Sequence, residues 1–389
     1  MTLHFDSRDL FRCVRLGWSG KKIWIAFVGL LLSWGGYSAL LLLAHWRGGT
    51  STRVLWHRYG VFLGAKMGAF DLMGTVLHIV GMLWVIAVLL LVMSMMCKIT
   101  FQQLRGDGFY SAGDAWNFGK KHWAGVLFGP LGVLALFIFF VMVGIVIGLV
   151  ARWVPVAGEL FFALGFVPIF MAALLAVFMA FVFLISLSMS PAIVGTVGED
   201  ALEVVIQSFS LIWTQPWRMV LYLTWVKVSA WIGFVVLSAL SMMALWLITW
   251  ACGLFMEIKL ANLFDIATRY MPFIPQRWDV VLANLPAPGE LSGAEVWSGR
   301  ILGVMLIFIT GILISYGLAA QASGSTLIYV ILRRCKDGEN MLEWDVPDWG
   351  HVDMVDESEE EDAIQDGENH DDSEHITEDE DHSTTTDKA

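Results

Sequence analysis

The 389-residue chain has very little charge over long distances. Residues 23–44, 74–97, 123–150, 161–189, 219–252 and 301–332 contain one charged side chain between them, Lys227. Each run exceeds the roughly 20 apolar residues that cross a hydrocarbon core about 30 Å thick. A soluble globular class is therefore excluded, and six spans are expected. Cysteine is also scarce: Cys13, Cys97, Cys252 and Cys335 stand far apart, which excludes a disulfide framework and the paired spacing of a zinc site. No G-x-G-x-x-G, P-loop, H-E-x-x-H, G-x-S-x-G or C-x-x-C occurs, so no catalytic residue, cofactor or metal is assigned. No nucleic-acid partner is expected. The first run is longer than a signal-peptide core and lacks a small-x-small cleavage site before Trp46 and Arg47, so it reads as a retained anchor.

Apolar residues make up 57% of the chain and mean hydropathy is +0.67, against about 45–50% apolar content in soluble domains. Tryptophan is abundant, and Trp46, Trp123, Trp217, Trp246 and Trp250 fall near span ends, where indoles anchor helices at the interface. The net charge of -12 is uneven: residues 353–389 hold 17 acids and one lysine, leaving 19 acids and 23 bases elsewhere. The expected class is all-α, a polytopic helical bundle followed by a disordered acidic tail over 341–389. His370, His375 and His382 in that tail are read as solvated. Lys and Arg near span ends favour both termini on the cytoplasmic side: Arg8, Arg12, Arg15, Lys21, Lys22, Lys98, Arg105, Lys120 and Lys121 lie on that side, with Arg333, Arg334 and Lys336 after the last span.

Short amphipathic segments precede the odd-numbered spans. Leu10, Phe11, Val14 and Trp18 oppose Arg8, Arg12, Arg15 and Ser19; "SAGDAWNFGKKHWAGVLFGPLGVLAL" leads into the third span; and Leu202, Val205, Ile206, Phe209, Ile212 and Trp213 oppose Glu199, Glu203, Gln207 and Thr214. The spacing predicts three cytoplasmic-side interfacial helices. The chain then divides into three helix-plus-hairpin units, 1–100, 101–195 and 196–340, the last with an extracytoplasmic loop over 253–299. In that loop Leu260, Leu263, Phe264, Ala267 and Tyr270 predict a short helix stopped by Pro272 and Pro275. Leu55, Tyr59, Phe62 and Phe70 predict a similar element in the first outer loop.

Lys227 is the main candidate for an intramembrane polar site, because charge within a span is costly and marks function by default. A lysine at that depth can equally snorkel to the interface. His78 and Gln321 are companion candidates. "QASGST" (residues 321–326) could hold a serine nucleophile, but no partnering base is evident. Gly311, Ser315, Ala319 and Ser323 recur every fourth residue, and Gly144 and Gly148 form a second notch; small residues let membrane helices approach closely, so these are read as helix-packing positions.

The stretch "MSPAIVGTVGEDALEVVIQSFSLIWTQPWRMVLYL", through Pro191, Asp200, Ala201, Ser208, Pro216, Trp217 and Arg218, resembles an uncharacterised group of bacterial six-span membrane proteins. The ending "SGSTLIYVILRRCKDGENMLE" resembles that group's close. A looser similarity reaches the membrane domains attached to some glycerophosphodiester phosphodiesterases. No soluble catalytic domain like theirs is expected here, so no phosphodiesterase activity is implied. The resemblance implies a bacterial cytoplasmic membrane location. The expectation is a non-enzymatic scaffold or accessory protein that meets membrane lipids or partner proteins through its interfacial helices and acidic tail. The alternative is a small-solute or lipid transporter with a cavity near Lys227.

Overall fold

The computed structural model describes residues 7–47, 71–153, 157–198, 200–269, 281–338 and 340–343. The described residues all fall within one unit, Met1–Trp344. The acidic tail from residue 344 on with its histidines, the first-loop positions Leu55, Tyr59, Phe62 and Phe70, and Tyr270, Pro272 and Pro275 lie outside the described residues, whereas Met341, at the start of the segment expected to be disordered, is buried in the core. Among the described residues all regular structure is helical: a 3-10 turn Ser7–Phe11, then α1 (Arg12–Gly17), α2 (Gly20–Arg47), α3 (Leu72–Arg105), α4 (Ala112–Lys121), α5 (Trp123–Trp153), α6 (Ala157–Leu164), α7 (Phe166–Val197), α8 (Ala201–Thr214), α9 (Pro216–Met256), α10 (Ile258–Arg269) and α11 (Gly293–Asp337).

Helices α2, α3, α5, α7, α9 and α11 are long and apolar enough to span a membrane. Only 6% of the apolar stretch of α5, and the same share of α9, is buried within the chain. Phe139, Leu184 and Leu240 are among the large apolar side chains left outside. Exposing each to water would forfeit about 1.5–3 kcal/mol, so hydrocarbon must cover them. The chain is a multi-pass membrane protein. At 1.5 Å per residue the 45 residues of α11 extend about 67 Å, well beyond the hydrocarbon core.

The spans form three antiparallel hairpins, α2/α3, α5/α7 and α9/α11. The second helix of each lies at the centre, where α3, α7 and α11 pack on one another, and the first helices lie outside. The three central helices share a local pattern. Thr100, Thr196 and Thr326, all fully buried, donate to the carbonyl four residues back, Met96, Ala192 and Ala322, at 2.8, 2.9 and 3.0 Å. A small residue stands six positions before each threonine: Ser94, Ser190 and Ala320. Each central helix ends on a glycine at positive φ, Gly106 (104°), Gly198 (76°) and Gly338 (73°), a conformation that costs glycine nothing and closes the helix.

The two short helices that precede the second and third hairpins pack mainly on the hairpin before their own: α4 on α3, and α8 on α5 and α7. The α1 helix closes the ring on α11 and α9. On α8 the packed face is not the one that apolar periodicity singles out. Val204, Gln207, Ser208, Leu211 and Ile212 are buried, while Leu202, Ile206 and Trp213 are exposed. Gln207, expected to turn away to water, instead donates to Glu203 Oε1 at 2.7 Å, and Ser208 donates to the Val204 carbonyl at 2.7 Å. Two helices must fit beside α8, and Gly129 and Gly132 of α5 leave room for Val204 and Val205.

Between α9 and α11, α10 buries Leu260, Phe264 and Ala267 in a small core with Val281 and Leu306. Asn262 organises the chain that follows, accepting from Gly289 N (2.8 Å) and donating to Glu290 O (3.2 Å) and Glu295 Oε2 (3.0 Å). Ser292 and Glu295 then make a reciprocal capping box that starts α11.

Candidate functional site

The sequence-predicted polar residues are not brought together. Lys227 is exposed: α9 packs through the stripe Met219, Leu223, Val226 and Ala230, and Lys227 follows Val226 by 100° around the helix, so its side chain leaves the bundle. His78 is half-buried, its Nδ1 3.3 Å from Tyr37 Oη on α2. Gln321 is half-buried on α11, two residues from Ser323.

The small-residue positions separate into two groups. Ser315, Ala319 and Ser323 are fully buried, and a methyl at Gly311 would lie 2.7 Å from the Phe27 ring. At Gly144 and Gly148 nothing lies within 4 Å of where a side chain would begin, so neither packs against a described helix of this chain. Their helix is an outer one, and their notch faces away from its neighbours.

Sequence reasoning missed the polar centre itself. Lys22, with no exposed surface, donates to the Leu16 carbonyl at 2.9 Å and to Ser323 Oγ at 3.1 Å. Ser323 Oγ in turn lies 3.2 Å from Thr100 Oγ1, and Cys97 Sγ is 3.4 Å from the Ala322 carbonyl. The amine thus ties the start of α2 to the end of α1 and to α11, and α3 joins through the Thr100–Ser323 hydroxyl contact. No carboxylate pairs with Lys22 among the described residues. Its neighbour Lys21 is exposed and reaches the Gly108 and Tyr110 carbonyls at 3.3 and 3.1 Å, joining the start of α2 to the loop before α4. No signal in the letters singles out Lys22: at the adjacent pair Lys120 and Lys121 both side chains are exposed, so two neighbouring lysines at a helix end do not imply that one is buried.

Close backbone approach shapes this centre. A methyl at Gly195 would stand 2.7 Å from Cys97 Cβ and 2.8 Å from the Ser94 carbonyl oxygen, and one at Gly17 would stand 2.7 Å from Ala320 Cα. Nearby, Cys13 is fully buried, and burial pushes its thiol up to about 11 against the opposing effect of backbone hydrogen bonds. The thiol therefore stays protonated at neutral pH.

The larger clefts lie elsewhere. One of about 720 Å³ separates α9 from α11, between Phe234, Met242 and Trp246 on one side and Leu306, Thr310 and Leu313 on the other. Another runs along α9 beside α1. Neither is lined by Lys227, His78 or Gln321. Among the described residues no group of three His, Cys, Asp or Glu side chains could hold a metal ion. No family model, curated protein or solved structure matches the chain. The resemblance to six-span bacterial proteins thus stands on its quoted residues and the six-span bundle alone.

Proposed function

We propose that this is a non-enzymatic accessory protein of the bacterial cytoplasmic membrane, with both termini cytoplasmic, meeting lipids and partner proteins through its short inner helices and acidic tail. The observation that carries this reading is the packing of the three central helices. From Met95 to Gln102 on α3, and from Ala322 to Leu332 on α11, every side chain is buried. An alternating-access transporter brings several polar groups to a hydrated site near mid-membrane. Here Lys227 turns outward instead, and its four-carbon stem can carry the amine back to the interface.

Labelling with a membrane-impermeant maleimide in native membranes tests the reading, using a background with the exposed Cys252 and Cys335 replaced by serine. The accessory reading expects Gln321→Cys and Ser323→Cys to stay unlabelled from both sides until the membrane is dissolved. Rapid labelling of either in sealed membranes would reveal a water path and favour transport.

A further inference from the structure

The exposed groove between α1 and α9 carries the features of a lipid site. Its apolar part, about 340 Å³, follows α9 past Ile232, Gly233, Val236 and Leu240 and is walled by Phe11 and Trp18. From Ile232 to Leu240 this is about 12 Å of helix. Phe11, Val14, Trp18 and Tyr316 also line a second, more polar cavity of about 620 Å³, whose remaining lining residue is Arg15. The two therefore form one trough that is greasy along α9 and cationic at its mouth.

The trough is built by contacts in its walls. Trp18 meets the Tyr316 ring edge-on at 5.2 Å, and Phe11 meets Trp225 at 5.0 Å. Tyr316 Oη reaches the Val14 carbonyl at 3.4 Å, and Gly233 leaves the room that this hydroxyl occupies. The neighbouring cation, Arg12, pairs with the buried Asp9 at 3.3 Å. Arg15 is exposed, and no described carboxylate forms an ion pair with it. Lys227 takes no part, because helical spacing places it on the opposite side of α9 from Val236.

We infer that this trough holds one anionic phospholipid, an acyl chain lying along α9 and the phosphate at Arg15. The surface around it is covered by hydrocarbon, so an acyl chain is the apolar occupant at hand. The mouth adds charge of the sign that selects an anionic headgroup, and guanidinium suits phosphate through its paired donors. The site rests on the part of the accessory reading in which the short helices meet lipid and names the lipid class; loss of the headgroup preference alone would overturn the site and leave the packing behind that reading untouched.

Native mass spectrometry of the purified full-length protein in detergent, with dioleoyl phosphatidylglycerol or phosphatidylcholine added at equal concentration, tests it. The wild type is expected to retain phosphatidylglycerol about fivefold more, the preference that one basic side chain at a bilayer surface supplies. Arg15→Gln removes that preference, while Arg152→Gln, an exposed cation at the far end of α5, leaves it. Val236→Trp, which fills the apolar part, lowers retention of both lipids. An unchanged preference in Arg15→Gln, or unchanged retention in a folded Val236→Trp, overturns the assignment. If Val236→Trp does not fold, the Arg15 and Arg152 pair still decides.

Discussion

Gly195→Leu is expected to abolish the monodisperse peak that the wild-type chain gives on size-exclusion chromatography in mild detergent, whereas Gly144→Leu leaves it in place. At Gly195 even a methyl would press on Cys97 Cβ and on the Ser94 carbonyl of α3. A backbone group held in a helical ladder cannot move aside as a flexible side chain can. Overpacking typically costs about 1–3 kcal/mol, and a leucine between two such backbones belongs at or above the top of that range. Total stabilities are only about 5–15 kcal/mol, so the loss is visible as aggregation. Gly144 has open space around it, and leucine there replaces a poor helix former on an outer face, a gain of up to about 1 kcal/mol. Equal damage from both substitutions would contradict the packing of α7 on α3.

The second large effect concerns the buried amine. Ser323→Ala is expected to lower the midpoint of thermal unfolding in detergent, because it leaves Lys22 with the Leu16 carbonyl as its one remaining acceptor. Leaving a buried polar group short of a partner costs about 1–3 kcal/mol, and more if it is charged. Lys22→Met, of similar length and without a polar head, is expected to be closer to neutral, since replacing a buried polar or ionic group with apolar atoms often costs little. The informative variant is the double one. Lys22→Met/Ser323→Ala recovers most of what Ser323→Ala loses, giving a coupling term that independent sites would not show. Strict additivity would mean that the serine stabilises α11 for a reason unconnected with Lys22.

The spans were legible in the letters because hydrocarbon imposes one simple demand, about 20 apolar residues without charge, and all six runs meet it, the fifth over the stretch that follows Lys227. What the runs face was not legible. In water, apolar periodicity marks the buried side, but in a bilayer an apolar side chain is equally stable facing lipid. On α8, too, Leu202, Ile206 and Trp213 lie outside while Gln207 and Ser208 lie inside, so apolar periodicity does not mark the packed face. The same ambiguity made Gly144 and Gly148 look like Gly311, although of the three only Gly311 meets a neighbour among the described residues. Lys22 was hidden for a different reason. Beside Lys21 at the start of a span it matched the basic flank that orients membrane proteins, and nothing in the local pattern distinguishes a lysine bound to α11 from one bathed in water.

The repeated elements show the same division. Thr100, Thr196 and Thr326 stand 6, 2 and 12 residues before the glycines that end their helices. Uneven helix ends of this kind blur an alignment of letters. The shared back-bond to the carbonyl four residues earlier becomes visible only when the three helices are seen side by side.

Six spans with the α4 loop, the α7–α8 turn and the end of α11 on one side of the bilayer form the claim from which the rest follows. The most direct measurement is single-cysteine labelling with an impermeant maleimide in sealed right-side-out and inside-out vesicles. Asn117→Cys, Asp200→Cys and the native Cys335 are all exposed, and the fold predicts that they label from the same face, with Glu290→Cys labelling from the other. Opposite labelling of Asn117→Cys and Asp200→Cys would contradict the three-hairpin bundle.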